Sequence, residues 1–418
     1  MKRAGVPLFG PVAAIWVALS PRAAVVHPPP MPTTATRINA FTESVIRTTT
    51  RISDRYGAIN LAQGFPDTDP PEAILAALER ATRGPFHQYA MTWGAPRLRN
   101  ALAAKITRLT GLEVDPEQHL VVTCGSTEAM AAAMMTTCNH GDKVVVFSPF
   151  YENYAADAIL TGAEPIYVPL HPPTFHFDPD ELAKAFEQKP KAIVICNPGN
   201  PTGKVFTRDE LMVILRLAEQ HDCYVITDEP YEHFVYAPNV HTYFAALPGA
   251  FERTVTCNSL SKTYSITGWR IGYIHAAPAV ISQARKVHDF LTIGAAAPLQ
   301  EAVVAGLELP LSYYDNLIAQ YTRKRAIFLG YLRQSGLPFN EPQGAYFAMV
   351  DIGSLGFATD TEASEWFIRN VGVAGVAGSS FFREPVNNYL RFHFAKSEAT
   401  LHEAGQRLAR VHATRAAT

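Results

Sequence analysis

Residues 191–228 read "KAIVICNPGNPTGKVFTRDELMVILRLAEQHDCYVITD". Two apolar, β-branched runs, "KAIVIC" (191–196) and "CYVITD" (223–228), flank a helical pattern. Thr207 and Glu210 have the spacing of a capping box, in which each side chain satisfies a free backbone donor of the other at a helix start. Behind them Leu211, Ile214, Leu215 and Ala218 fall on one helical face. A strand, a helix and a second strand in this order predict parallel pairing, because parallel neighbours need a crossover connection.

The alternation continues on both sides. "HLVVTC" (119–124), "KVVVFS" (143–148) and "PIYVPL" (165–170) precede this unit, and "TVTCN" (254–258) and "WRIGYI" (269–274) follow it. Asp178-Pro179-Asp180-Glu181 marks a helix start: an N-cap, a proline in the first turn, then acids. Short apolar strands separated by helices predict an α/β fold with a mainly parallel sheet covered on both faces. Past residue 300 long helices dominate, with strands in "AYFAMVD" and "YLRFHFA", which predicts a smaller α+β domain. The expected division is an extension over 1–37, an arm over 38–60, a large domain over 61–297 and a small domain over 298–418.

The chain has 418 residues, 48% of them hydrophobic, enough for more than one core. Its net charge of −2 gives no basic field, so nucleic acid is not an expected partner. The five cysteines are odd in number and form no CxxC pair, and the histidines show no HExxH spacing. Buried thiols in a cytoplasmic protein are expected, with no metal site. Lys2 and Arg3 precede an apolar run, as in a signal peptide, but Pro7 and Pro11 interrupt it and no small-residue cleavage site follows. The expected reading is a disordered extension or an upstream start, with Met31 the functional one. No other stretch approaches the ~20 apolar residues of a membrane span.

In such sheets ligands sit beyond the C-terminal ends of the strands. Gly125-Ser126-Thr127 stands there between a strand and a helix, where free N–H groups suit a phosphate. "CNPGNPTGK" (196–204) fails the pattern of a nucleotide phosphate loop, because Pro198 replaces the first glycine and no hydroxyl follows Lys204. Its Asn-Pro steps make a turn from which Asn200 presents an amide. "ITDEPYEHF" ends a strand with Asp228, and Tyr231 follows three residues on. In "NSLSKTYSITGWRIGY" (258–273) Lys262 and Arg270 lie among hydroxyls with no acid nearby. An amine there forms a Schiff base if burial or a cation lowers its pKa. Ser259-x-x-Lys262 also matches the SxxK of penicillin-recognising enzymes, but the S-D-N and K-T-G elements are missing.

Taken together, GSTE (125–128), NPTG (200–203), DEPY (228–231), SLSKTYSITGWR (259–270) and YLRF (389–392) resemble the class I/II pyridoxal-phosphate aminotransferases. The resemblance covers about residues 38–412. "INLAQGFPD", "QYAMTWGAP" and "SPFYENY" are similar to the kynurenine, glutamine and aspartate aminotransferase branch. It implies a fold-type-I enzyme that uses pyridoxal 5′-phosphate to pass the amino group of an L-amino acid to a 2-oxo acid. Lys262 would carry the Schiff base and move the proton, and Asp228 would hold the ring nitrogen protonated. Tyr231 and Asn200 would bond the phenolic oxygen, and Tyr151 would stack on the ring. Ser126, Thr127, Ser259 and Arg270 would hold the phosphate, with Tyr89 reaching over from the second subunit of a homodimer. Arg391 and the Gly64 N–H would take the substrate carboxylate, and Phe41 and Trp93 would wall the side chain. The implied donors are neutral or aromatic. A dicarboxylate would need a second arginine, for which Arg37, Arg47 and Arg97 are candidates. β-Elimination from cysteine S-conjugates is an alternative outcome of the same site, and a non-catalytic domain of this fold is a third.

Overall fold

The structure, a computed structural model, describes residues 32–418, so the extension expected over 1–37 lies almost wholly outside the described residues. Eight strands form the large sheet: β1 (Leu120–Thr123), β2 (Lys143–Ser148), β3 (Glu164–His171), β4 (His176–Phe177), β5 (Ala192–Cys196), β6 (Tyr224–Asp228), β7 (Thr254–Ser259) and β8 (Gly272–Ala276). Their order across the sheet is β1-β8-β7-β6-β5-β2-β3-β4. The central strands β3, β2, β5, β6 and β7 pair in parallel. β8 is antiparallel to both its neighbours, and β4 is antiparallel to β3.

Alternate residues of each strand serve opposite faces. Val144 and Val146 join a core under the helices Gly125–Thr137 and Pro278–Thr292, while Val145 and Phe147 join one under Pro179–Glu187 and Arg208–Gln220. Each fully buried Val or Ile contributes about 1.5–3 kcal/mol, so the sheet is held from both sides. The helix starts read in the sequence are formed. Asp178 caps Pro179–Glu187, and Thr207 with Glu210 makes the complete capping box of Arg208–Gln220. One expected strand differs. "WRIGYI" does not begin as strand, because Thr267–Trp269 is a 3₁₀ turn and Arg270 is left-handed at φ 57°, so β8 starts only at Gly272.

Arg37–Thr418 forms one compact unit that holds a second sheet of β9 (Phe347–Asp351), β10 (Val376–Ala377) and β11 (Tyr389–His393), antiparallel in the order β9-β11-β10. Near it Ile59–Asn60 pairs in parallel with Val373–Ala374, which ties the start of the chain to its C-terminal part. Leu311–Ser335 is the long helix of this part. No helix among the described residues is long and apolar enough to cross a membrane.

Candidate active site

Because β2, β5, β6 and β7 run the same way, their ends Ser148, Cys196, Asp228 and Ser259 meet at one edge of the sheet. β8 runs against them, so its start, preceded by Arg270, comes to the same edge. A cavity of about 1370 Å³ opens there. It brings together Ser126, Thr127, Tyr151, Asn200, Asp228 and Tyr231 with Ser259, Lys262, Arg270, Arg391, Gly64 and Phe41.

Asp228 ends β6 and is 5% exposed. Its Oδ2 accepts from the Tyr154 hydroxyl at 2.6 Å, while Oδ1 is buried with no partner. Burial pushes its pKa up to about 7, against the Tyr154 bond and the Lys262 charge. A buried carboxylate with an empty oxygen calls for a donor, which a protonated ring nitrogen supplies. Lys262 donates from Nζ to the Gly64 carbonyl at 3.2 Å. Burial first and Arg270 second bring its pKa down to about 8, although Asp228 opposes them.

A further part of the wall is built for an anion. The helix Gly125–Thr137 starts at the end of β1 and aims its free N–H groups and the Ser126 and Thr127 side chains at the cavity edge. Arg270 holds its left-handed backbone, an outlier worth about 1–2 kcal/mol, with its guanidinium donating to the Thr267 carbonyl at 3.0 Å and the Thr127 hydroxyl at 3.4 Å. A Cβ on Gly125 would strike that guanidinium, and one on Gly272 would come within 2.7 Å of the Ser126 nitrogen. Ser259 Oγ accepts from the Ser261 N–H at 3.1 Å, and the Ser261 hydroxyl itself is buried without a partner. This donor set fits a phosphate, and the Asp228–Lys262 pair fits a pyridine aldehyde.

Arg391, on β11, is 1% exposed and lies between the rings of Phe347 and Phe381, 4.6 Å from each. It donates to Asn200 Oδ1 at 2.7 Å and to the Ala62 carbonyl at 2.6 Å, and its Nε has no partner. Burial draws its pKa down to about 10. Gly64 packs so closely on Phe347 that a Cβ would fall 2.5 Å from the ring. Tyr231 stands edge-on to Tyr346 and Phe347, and burial holds its hydroxyl well above the usual range.

Trp93 and two of the candidate arginines take another place, while Tyr89, expected to act on the second subunit, is exposed on its own. Trp93 packs against the large core, with Arg285 and Arg99 over its ring, and does not line the cavity. Tyr89 lies outside its own chain's cavity and is 84% exposed. Of the arginines considered for a second carboxylate, Arg47 lines the cavity, whereas Arg97 pairs with Glu301 at 3.2 Å elsewhere and Arg37 does not line it. The sequence reading also passed over four groups. Tyr154 and Asp157 follow Tyr151 at helical spacing, Glu152 accepts from the Ser44 hydroxyl and Val45 N–H at the start of the helix Val45–Tyr56, and Arg383 lines the outer cavity. The i, i+3 spacing from Tyr151 was the available signal for Tyr154.

Comparison with known proteins agrees with this geometry. The family model "Aminotransferase class I and II" matches residues 56–408. Human kynurenine–oxoglutarate transaminase 1 is 33% identical over 393 residues, which cover 86% of this chain and 93% of that protein. The solved methionine aminotransferase of Escherichia coli superposes with a TM-score of 0.87 at 32% identity, over 91% of this chain and all of that one. N-Succinyldiaminopimelate aminotransferase of Mycobacterium tuberculosis gives 0.87 at 34% identity, over 90% of this chain and 99% of that one. The chain therefore belongs to the class I and II aminotransferases, and its fold is that of the fold-type-I pyridoxal-phosphate enzymes. It is a pyridoxal-phosphate-dependent aminotransferase acting on an amino acid and a 2-oxo acid.

Proposed function

We propose that the enzyme prefers neutral and aromatic L-amino acids as donors, and that the residues converging on the cavity divide the work as follows. The observation that carries the reading is one cavity lined by Lys262, by Asp228 with its unpaired oxygen, and by Arg391. Bound there, pyridoxal phosphate supplies an aldehyde and an electron sink. Lys262 would hold the cofactor by its aldehyde and, once the substrate amine had displaced it, would be the free base that moves the substrate Cα proton. Asp228 keeps the ring nitrogen protonated. Tyr231 and Asn200 hold the phenolic oxygen, and Tyr151 covers a ring face. Ser126, Thr127, Ser259 and Arg270 grip the phosphate, joined by Tyr89 of the partner subunit. Arg391 and the Gly64 N–H would take the substrate carboxylate and so orient the substrate for Lys262.

Phe41 on the cavity wall supports a neutral or aromatic side chain. Glu152, also on the wall, opposes a second carboxylate, while Arg47 is the group that would attract one. The names of the human and E. coli relatives support kynurenine-like and methionine-like donors. We assign 61–297 to a cofactor-binding domain and 38–60 with 298–418 to a smaller one. The pairing of Ile59–Asn60 with Val373–Ala374 supports that assignment. A homodimer is supported by an apolar surface where a loop meets the end of the helix Pro278–Thr292: Tyr89 and Phe290 are 84% and 92% exposed, and a His288 ring nitrogen bonds the Thr92 carbonyl at 2.9 Å. All five cysteines are free, which supports a reducing compartment and the cytoplasm.

A donor panel tests the specificity, with kcat/KM measured for methionine, phenylalanine, glutamine, kynurenine, alanine and aspartate. Methionine or an aromatic donor is expected to lead. Phe41→Ala should raise KM for aromatic donors by about 10-fold, consistent with ~1.5 kcal/mol of lost burial, and leave alanine unchanged. Aspartate ahead of every neutral donor by tenfold would overturn the reading and point to Arg47. Pyruvate released from a cysteine S-conjugate would register elimination.

A further inference from the structure

The helix Asn153–Thr161 carries a carboxyl that the assignments above leave without a task. Asp157 stands one turn past Tyr154 and next to Ala158, and both neighbours belong to the core beneath the helix Gly125–Thr137. It is 7% exposed, its Oδ2 is buried without a hydrogen-bond partner, and it lines the same cavity as Asp228. An unpaired carboxylate in such a place is strongly disfavoured, so the group keeps its proton to a higher pH than a surface acid.

The groups facing it are few. Its own helix offers Tyr154, already bonded to Asp228. β6 offers Asp228 itself, and β7 offers Cys257, whose thiol is pushed well up by burial, Asp228 and Asp157. β3 brings Tyr167, with the Arg383 guanidinium 5.4 Å from its ring centre. The packed helix Gly125–Thr137 brings Glu128, whose Oε1 is engaged by His288 and Thr292. No charge but that of Asp228 shifts Asp157, and burial with that charge pushes its carboxyl up to about 7. Asp228 rises to the same range. The two carboxyls line one cavity, and the charge of Asp228 adds to burial in holding the proton on Asp157.

We propose that Asp157 is a positioning residue for the ring-nitrogen end of the cofactor: it forms with Asp228 and Tyr154 a buried dicarboxyl unit, and its charge, felt through Asp228, sets how firmly the ring nitrogen keeps its proton. The inference rests on the assignment of Asp228 to that nitrogen. When Asp157 ionises, the added negative charge holds the ring proton more tightly. It also raises the pH at which the lysine-bound chromophore loses its own proton. Asp157→Asn keeps the shape and removes that charge.

The test is a visible-absorbance pH titration of wild-type and Asp157→Asn holoenzyme, beside melting curves of both apoproteins. The chromophore midpoint should fall in the variant by ~0.5 pH unit or more, and the alkaline limb of kcat should move with it. In the apoproteins the sign is set by the raised folded-state value. Wild type loses stability relative to the variant as pH rises from the unfolded carboxyl value of 3.8 to the folded value of about 7, so the variant's melting temperature should gain on wild type across that span and keep a constant advantage above it. Asp157→Ser, which also removes the charge, carries the same expectations should the amide not be accommodated. A midpoint unchanged in a folded, cofactor-loaded variant overturns the proposal. Wild-type protein that forms no lysine-bound chromophore would instead overturn the cofactor assignment beneath it.

Discussion

An amine that is to attack a carbonyl must first shed its proton, and Lys262 is prepared for that by its surroundings. Burial and the Arg270 cation bring its pKa down to about 8, and the nucleophilic form is the one present above that value. The rate at which apoprotein captures pyridoxal phosphate should therefore rise with pH through a midpoint near 8, measured by stopped-flow absorbance. A midpoint near the ordinary lysine value of about 10.4 would mean that the pocket does not tune this amine. Arg391 shows the same economy of surroundings: two phenyl rings and the Asn200 amide fix its fork before any carboxylate arrives. Lysine in its place would keep the charge but lose the planar stack.

At the scale of elements, the site is held together from behind by a buried ion pair. Lys105, on the helix Pro96–Thr110, pairs with Glu232 at 2.5 Å and donates to the Tyr273 hydroxyl at 3.0 Å. Glu232 also accepts from Asn258, whose Oδ1 takes the Ser259 N–H at 2.6 Å. One carboxylate thus ties the loop of Tyr231 to the strand end of Ser259. Burial would raise Glu232, but Lys105 outweighs it and holds the carboxyl down to about 2. Because the folded value lies below the unfolded one, this stability is present above about pH 4.5 and lost as pH falls toward 2. Glu232→Gln should lower stability at neutral pH by about 3–5 kcal/mol, since Lys105 is left buried and uncompensated. Urea melts of both proteins should differ by that amount at pH 7 and converge in acid. A constant difference across pH would contradict the ion-pair account. The elements themselves were legible in the sequence wherever local chemistry decides them, as in the capping box of Thr207 and the alternation of Val144 to Phe147. They were not legible where tertiary contact decides. The left-handed turn at Arg270 exists to aim a guanidinium, and no propensity announces it. Trp93 reads as a pocket wall until two arginines are found on its ring. Asp157 carries no motif, and only packing encloses it.

For the whole molecule, the order of the strands does most to make the site. Loops far apart in sequence converge because parallel strands end at one edge, and the motif order alone already implied that convergence. Tyr89 and Phe290 present apolar area that a monomer would leave in water. For the proposed homodimer, Phe290→Asp should give a monomer in light scattering and weaken cofactor affinity at least tenfold, because the proposed contact of the partner's Tyr89 with the phosphate would be lost. A variant that remains dimeric with unchanged affinity would move the interface elsewhere.

The central claim is that Lys262 is the residue that carries the cofactor, and one measurement addresses it directly. Borohydride reduction of the yellow holoenzyme fixes the cofactor on its lysine as a stable secondary amine, and peptide mass spectrometry then locates it. The account requires the label on Lys262 alone, with Lys262→Ala binding cofactor but taking no label and losing at least ~10³-fold in turnover. A label on another lysine, such as Lys105, Lys204 or Lys324, or an active Lys262→Ala variant, would contradict it.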